Sequence, residues 1–231
     1  MKKILKRILK IIICILIIIA ILLLMSFVYH RIMLKIENKY TGIENAPGIM
    51  VDVNGHKMHV YIEGQGDKTL VFMAGFGSTC PYIEFKPLYE KLSDKYRIVV
   101  VERAGYGYSE DTDVSRDMST ILNETRTALQ LANITGKYIL VPHSMSGIEA
   151  IYWANKYPEE IEGICAIDIS TCGYYQEAEK YNNMISNWER INKSSVIATK
   201  IGLHRLPFVY SALNKKRNNK RGVGNTKSNV L

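Results

Sequence analysis

The stretch VPHSMSG, residues 141–147, joins a short apolar run to a segment with helical spacing. A serine at a sharp turn between a strand and a helix stands above the sheet with its hydroxyl exposed. Such a turn requires small residues around the serine, because larger side chains would collide with the backbone. Ser146 meets this requirement and Gly147 lets the helix pack close, whereas Pro142 stands where a glycine is usual. The stretch therefore predicts a reactive serine, Ser144, at the end of a strand.

Strand and helix signals alternate on both sides of this turn. Beta-prone runs around Asn54-Gly55 predict a hairpin, and continuous apolar runs predict buried strands. The predicted strands are 50–53, 56–63, 69–73, 97–101, 138–141 and 163–169, and the predicted helices are 86–93, 118–132 with Ser119 as its cap, and 146–157. This alternation predicts an α/β fold with a mostly parallel sheet of about six strands, covered on both faces.

Two other predicted strands end in glycine-rich turns. The segment MAGFGS, residues 73–78, has two glycines that would let backbone N–H groups turn toward a developing oxyanion. An ordinary glycine-rich loop is the alternative, and the segment has neither the G-K-[ST] of a phosphate loop nor the G-x-G-x-x-G of a dinucleotide site. The second turn, residues 102–109, is interpreted as structural.

These segments, in this order, resemble motifs of the α/β-hydrolase superfamily. VPHSMSG resembles the nucleophile elbow, usually G-H-S-M-G-G, and MAGFGS resembles the H-G-x-G oxyanion loop with Ala74 in place of histidine. VERAGYGYSE resembles D-x-P-G-x-G-x-S, with Glu102 for aspartate and Ala104 for proline. The hairpin resembles the opening strands of that family. The resemblance covers residues 48–170, the expected hydrolase core.

The resemblance implies a serine hydrolase acting on an ester, lipid ester, amide or peptide bond. Ser144 would be the nucleophile, which needs a general base, and the amides of Met145 and Phe76 would form the oxyanion hole. It implies no metal or organic cofactor. It also implies a helical cap over residues 171–213, whose aromatic residues either line an apolar cleft or pack the cap helices. These aromatic residues are Tyr174, Tyr175, Trp188 and Phe208.

The acid and histidine of such a triad are not evident. The family places them after two further strands, which the sequence does not show, and residues 214–231 are a polar basic tail. Asp168, at a predicted strand end, is a candidate acid or an ordinary strand-end residue. Among the five histidines, only His204 is positioned where it could turn toward Ser144; the others are His30, His56, His59 and His143.

Several interpretations therefore remain. The first is a serine hydrolase, complete or truncated and then of reduced activity. The second is a non-catalytic hydrolase-like membrane protein that binds a ligand or partner. The third is a protein whose sheet is completed by a second chain, since the strand ending at Ile169 would otherwise be an apolar edge. The substrate and the oligomeric state do not follow from the sequence.

Residues 11–29 predict a transmembrane signal anchor. The nineteen residues have no charge, and as a helix they span about 28 Å, close to the hydrocarbon thickness of a bilayer. A cleaved signal peptide would have a shorter apolar core and a small-residue cleavage site, and a buried soluble helix would have a polar face. Residues 1–10 carry five basic residues, which predicts a cytoplasmic N-terminus and a body beyond the cell membrane, joined by a linker at 30–47.

The charge distribution argues against nucleic-acid binding. The net charge is +8, but eleven basic residues lie in 1–10 and 214–231, which contain no acidic residue. Residues 11–213 hold 19 basic and 22 acidic residues, so the body has no excess of positive charge for a phosphate backbone. The four cysteines show no disulfide pattern, and Cys165 is predicted to be a small core residue.

Overall fold

The computed structural model describes residues 2–171, 173, 186–187 and 194–206. The chain divides into two compact units. One consists of Met1–Lys39 with Glu179–Leu231, and the other of Tyr40–Ala178.

The second unit contains a six-stranded sheet in the order β1-β2-β4-β3-β5-β6. The strands are β1 Ile49–Val53, β2 His56–Glu63, β3 Thr69–Met73, β4 Arg97–Val101, β5 Tyr138–Pro142 and β6 Ile161–Ile164. The pairs β1–β2 and β2–β4 are antiparallel, whereas β3–β4, β3–β5 and β5–β6 are parallel. The predicted mostly parallel α/β sheet of about six strands is confirmed.

The predicted hairpin is also confirmed. Val53 pairs with His56, and the two residues between them, Asn54 and Gly55, both have positive φ, at 55° and 91°. This is the backbone conformation that the favoured two-residue hairpin turns require, and asparagine and glycine adopt it most readily.

Three helices cover the sheet: α2 Pro81–Tyr89, α3 Met118–Leu131 and α4 Ser146–Lys156. Leu122, Leu129 and Trp153, from α3 and α4, are fully buried in one apolar cluster with residues of the sheet. Tyr89 of α2 is buried in a second cluster with Phe72, Ile98 and Val100. The sheet is therefore packed on both faces, which explains why its central strands are continuously apolar.

One helix prediction was wrong in its boundaries and another in its cap residue. The helix expected at 86–93 is α2, which begins at Pro81 and ends at Tyr89, because proline is favoured at the first helical position. The N-cap of α3 is Asp117 rather than Ser119, since the Asp117 carboxylate accepts the Thr120 N–H at 2.9 Å. Aspartate is one of the strongest N-cap residues.

The last predicted strand, 163–169, was wrong in position. The strand β6 occupies Ile161–Ile164, and only an isolated bridge between His143 and Ile167 continues it. Within the described residues β6 pairs with β5 alone. Cys165 is exposed rather than buried, because it follows the strand at this uncovered edge of the described sheet.

The first unit contains nearly all of α1, Lys2–Thr41, a helix of 40 residues whose last two residues belong to the second unit. Among the described helices, α1 is the one that is long and apolar enough to cross a membrane. A signal sequence has the same properties. The helix continues through residues 30–41, where a linker was expected. Within this unit, Arg205 donates to both carboxylate oxygens of Glu37 and to His30 Nδ1, and Gly202 lies against Ser26 and His30.

Candidate active site

Ser144 lies in the turn between β5 and α4, as predicted. Its φ is +54°, a left-handed conformation that costs a residue with a side chain of the order of 1–3 kcal/mol. The turn is held by backbone hydrogen bonds: His143 N–H donates to Met73 O at 3.0 Å and Ser170 N–H donates to Ser144 O at 2.9 Å. Ser144 is half-buried, and no described residue hydrogen-bonds to its hydroxyl.

Small residues allow this turn to pack tightly. The buried Ser146 hydroxyl donates to Met73 O at 2.7 Å and accepts the His143 N–H at 2.8 Å, so a hydroxyl stands where the family has a glycine. A Cβ on Gly147 would lie 2.5 Å from Ile169 Cβ. The glycine therefore lets the start of α4 approach the segment after β6, and Ala at this position would force one of them to move.

The glycine-rich loop after β3 passes beside Ser144. A Cβ on Gly75 would lie 3.0 Å from Ser144 Cβ. A side chain at residue 75 would therefore crowd Ser144, and glycine allows the loop to approach it closely. The next residue, Phe76, is 63% exposed. Among the residues that the structure describes, neither the Phe76 nor the Met145 amide has an acceptor. Met145 is the N-cap of α4, and the positive end of the helix dipole favours a negative charge there.

Glu102 organises the turn after β4, which supports its structural interpretation. The carboxylate is fully buried, lies 3.0 Å from His59 Nδ1 and accepts the Tyr82 and Tyr108 N–H groups at 3.1 and 2.7 Å. A side chain on Gly107 would overlap this carboxylate. Burying a carboxylate is costly unless it is fully hydrogen-bonded, and here both oxygens are.

An ion pair that the sequence analysis did not predict lies beneath the same loop. Arg103 donates to the Glu149 carboxylate, and their side chains are only 12% and 3% exposed. Thr125 lies 3.4 Å from the other Glu149 oxygen. The partners are 46 residues apart in the chain, so no local motif indicates that they meet.

The histidines and the candidate acid do not complete a triad within the described residues. His59 is bound by Glu102, and His56 lies 3.8 Å from Glu124. His143 is exposed, whereas His204 belongs to the first unit, where its ring contacts that of His30 edge-on at 5.2 Å.

Asp168 is exposed and has a φ of +43°, and it forms no hydrogen bond or ion pair with the described residues. Tyr174, Tyr175, Trp188, Phe208 and the tail 214–231 lie outside the residues that the structure describes. In the described part of the chain, no group of three His, Cys, Asp or Glu side chains could hold a metal ion.

A protein-family comparison decides which fold family this arrangement represents. Residues 68–192 match the model of the alpha/beta hydrolase fold, over more than half of the chain. The chain belongs to the α/β-hydrolase family. The solved structure of lip1 from Acinetobacter baumannii AYE shares this α/β-hydrolase fold, with a TM-score of 0.50 and 19% identity, over 61% of this chain and 46% of that one.

Curated proteins are also similar to this chain. YbdG of Bacillus subtilis, an uncharacterized protein, is 46% identical over 188 residues, covering 81% of this chain and 55% of YbdG. A pimeloyl-[acyl-carrier protein] methyl ester esterase of Shewanella woodyi is 32% identical over 126 residues, covering 54% of this chain and 44% of that enzyme. The chain spans about half the length of the curated relatives it matches.

Proposed function

We propose that this α/β-hydrolase is a serine hydrolase that cleaves a carboxylic ester, lipid ester, amide or peptide bond, with Ser144 as its nucleophile. The observation that carries the proposal is the turn between β5 and α4, which holds the half-buried Ser144 at a φ of +54°. A strained backbone is retained where a function needs the side chain in that position. No other described residue offers a hydroxyl in such a turn.

In the proposed reaction the Ser144 hydroxyl attacks the carbonyl carbon while a base removes its proton. The carbonyl oxygen becomes an oxyanion and accepts hydrogen bonds from the Met145 and Phe76 amides. One such donor contributes about 3 kcal/mol to transition-state stabilisation in other hydrolases. The intermediate expels the leaving group, and water then releases the acyl group from Ser144. The base itself is not assigned to a described residue.

The ester class is supported by similarity to the Shewanella methyl ester esterase. Two further features fit acyl transfer in general: among the described residues the Phe76 and Met145 amides have no acceptor, and Met145 directly follows Ser144. The test is hydrolysis of p-nitrophenyl esters of increasing acyl length by the wild type and by Ser144→Ala. Loss of hydrolysis in the variant, with unchanged unfolding, is expected; equal rates in both proteins would reject Ser144 as the nucleophile.

We also propose that residues 11–29 anchor the protein in the cell membrane, with a cytoplasmic N-terminus and the hydrolase body on the outer side. The apolar residues of α1 are exposed over this range, and the five basic residues precede it. A membrane-impermeant maleimide applied to intact cells should label the exposed Cys165. Labelling of Cys165 only after cell lysis would contradict this orientation.

A second candidate function is ligand binding without catalysis. It is favoured by the lack of a hydrogen bond between Ser144 and any histidine in the described residues. In that case Ser144→Ala would leave every measurable activity and ligand affinity unchanged, which is the opposite of the result expected for the hydrolase.

A further inference from the structure

We propose that Arg103 is a positioning residue that fixes the two proposed oxyanion donors relative to each other. It links α4, which begins next to Met145, to the loop that contains Phe76. We call the connected residues Glu149, Arg103, Tyr106 and Gly77 the Arg103 brace. The catalytic part of this inference rests on the proposed function, whereas the mechanical part does not.

The first contact of the brace holds α4. Glu149 lies in the first turn of that helix, and its carboxylate is paired with the Arg103 guanidinium almost completely out of solvent. A buried ion pair gains little net stability over apolar residues of the same size, because both charges lose their hydration. The pair does impose a defined geometry, since a guanidinium donates in a fixed planar arrangement.

The second contact holds the loop. The Arg103 guanidinium carbon lies 6.0 Å from the centre of the Tyr106 ring, at the outer limit of a cation–π contact. The Tyr106 hydroxyl accepts the Gly77 N–H at 3.3 Å, and Gly77 follows Phe76 directly. Arg103 is thus connected to the start of α4 through Glu149 and to the loop that contains Phe76 through Tyr106. These two segments carry both proposed donors.

A small cavity lies beside the Arg103–Glu149 pair. It has a volume of about 10 Å³, room for about one water, and its lining includes Met73 and Ala74 at the start of the loop as well as Arg103, Thr125 and Glu149. Apolar packing is therefore incomplete between α4 and the loop. Oxyanion donors must lie about 2.7–3.1 Å from the developing charge, so a small relative shift of the two segments would weaken at least one donor.

Amide hydrogen exchange of the full-length protein tests the brace directly. Tyr106→Phe removes only the acceptor of the Gly77 N–H and should raise exchange of the Gly77 amide, within residues 75–79, about tenfold. Arg103→Met combined with Glu149→Met removes both buried charges together, which avoids an unpaired carboxylate, and should raise exchange in 75–79 and in 143–148. Lys68→Met, which breaks an exposed ion pair with Glu162, is the control and should change neither segment.

Unchanged exchange in both segments of the folded double variant would overturn the brace. So would an equal increase throughout the hairpin 49–63, because that result would indicate general destabilisation. Arg103→Lys keeps the charge but not the planar geometry and should give an intermediate increase.

A second readout separates this inference from the proposed function. If a fluorophosphonate labels wild-type Ser144, the labelling rate should fall about tenfold in Tyr106→Phe and in the double variant, without a change in the unfolding midpoint. An unchanged rate would reject the effect of Arg103 positioning on the reaction at Ser144. If wild-type Ser144 is not labelled, the proposed function fails, and the exchange measurement still decides whether Arg103 couples the two segments.

Discussion

Ser144 has a backbone conformation that glycine adopts more easily than any residue with a side chain. Its φ is +54°, and replacement by glycine removes the steric cost of the Cβ in that conformation. Ser144→Gly should therefore be more stable than Ser144→Ala by about 1 kcal/mol, although both lack the hydroxyl. Chemical denaturation of the two variants measures the difference. Equal stabilities would show that the turn is not strained.

Cys80 provides a residue-level test of the environment created by Glu102. Its thiol donates to Glu102 Oε1 at 3.6 Å, and burial, together with the charge of that carboxylate, raises the pKa of Cys80 to about 11. The thiolate is the reactive form, so at pH 8 only about one thiol in a thousand is ionised.

Iodoacetamide should modify the exposed Cys165 long before Cys80, and the Cys80 rate should rise about tenfold per pH unit up to pH 10. Peptide mapping by mass spectrometry measures both sites in one sample. A Cys80 rate that reaches its plateau below pH 9 would show that the carboxylate and the burial do not act on this thiol.

At the residue scale, the sequence predicts those features of the site that depend on a short local motif. The turn around Ser144 and the glycines of the loop after β3 were predicted because sharp turns restrict residue type locally. The contacts of Glu102 with His59 and of Arg103 with Glu149 were not predicted, since their partners are 43 and 46 residues apart. Such contacts depend on strand order, which no single segment encodes.

At the scale of elements, Gly147 determines how closely α4 approaches the segment after β6. An added methyl group would lie 2.5 Å from Ile169 Cβ and 2.8 Å from Ser170 O. Gly147→Ala should destabilise the protein by about 1–3 kcal/mol, because overpacking forces the backbone to shift. It should also slow any reaction at Ser144, since Ser170 N–H is hydrogen-bonded to Ser144 O.

Gly163 in β6 is the matched control. No atom lies within 4 Å of an added Cβ at this position, so Gly163→Ala should be neutral or stabilise by up to about 1 kcal/mol. Thermal unfolding in detergent compares the two variants. Equal destabilisation by both substitutions would show that close packing at Gly147 is not the cause.

The sequence predicted the strands correctly where several consecutive residues are apolar and buried. The boundaries of β3 and β4 agree with the prediction because both strands are central and every residue after the first is apolar. The last strand was misplaced, since β6 is short and partly exposed and the apolar residues after it form only one bridge. The start of α2 was missed because Pro81 was not recognised as the first residue of a helix.

At the scale of the whole molecule, the sheet of the α/β-hydrolase fold brings the segments of the candidate site to one edge. The three segments that resemble α/β-hydrolase motifs lie at the carboxyl ends of β3, β4 and β5, where parallel sheets place reactive groups. All five histidines are in described residues, and none of them hydrogen-bonds to Ser144. A general base contributes about 10²–10⁴-fold to such reactions, so added imidazole should accelerate reaction at Ser144 about tenfold or more.

The most direct measurement is the intact mass of the full-length protein after incubation with a fluorophosphonate, with and without imidazole. The account predicts a single adduct, mapped to Ser144, that forms faster with imidazole and does not form in Ser144→Ala. A folded wild-type protein that gains no adduct under either condition, or gains one at another residue, would contradict the assignment of Ser144 as the nucleophile.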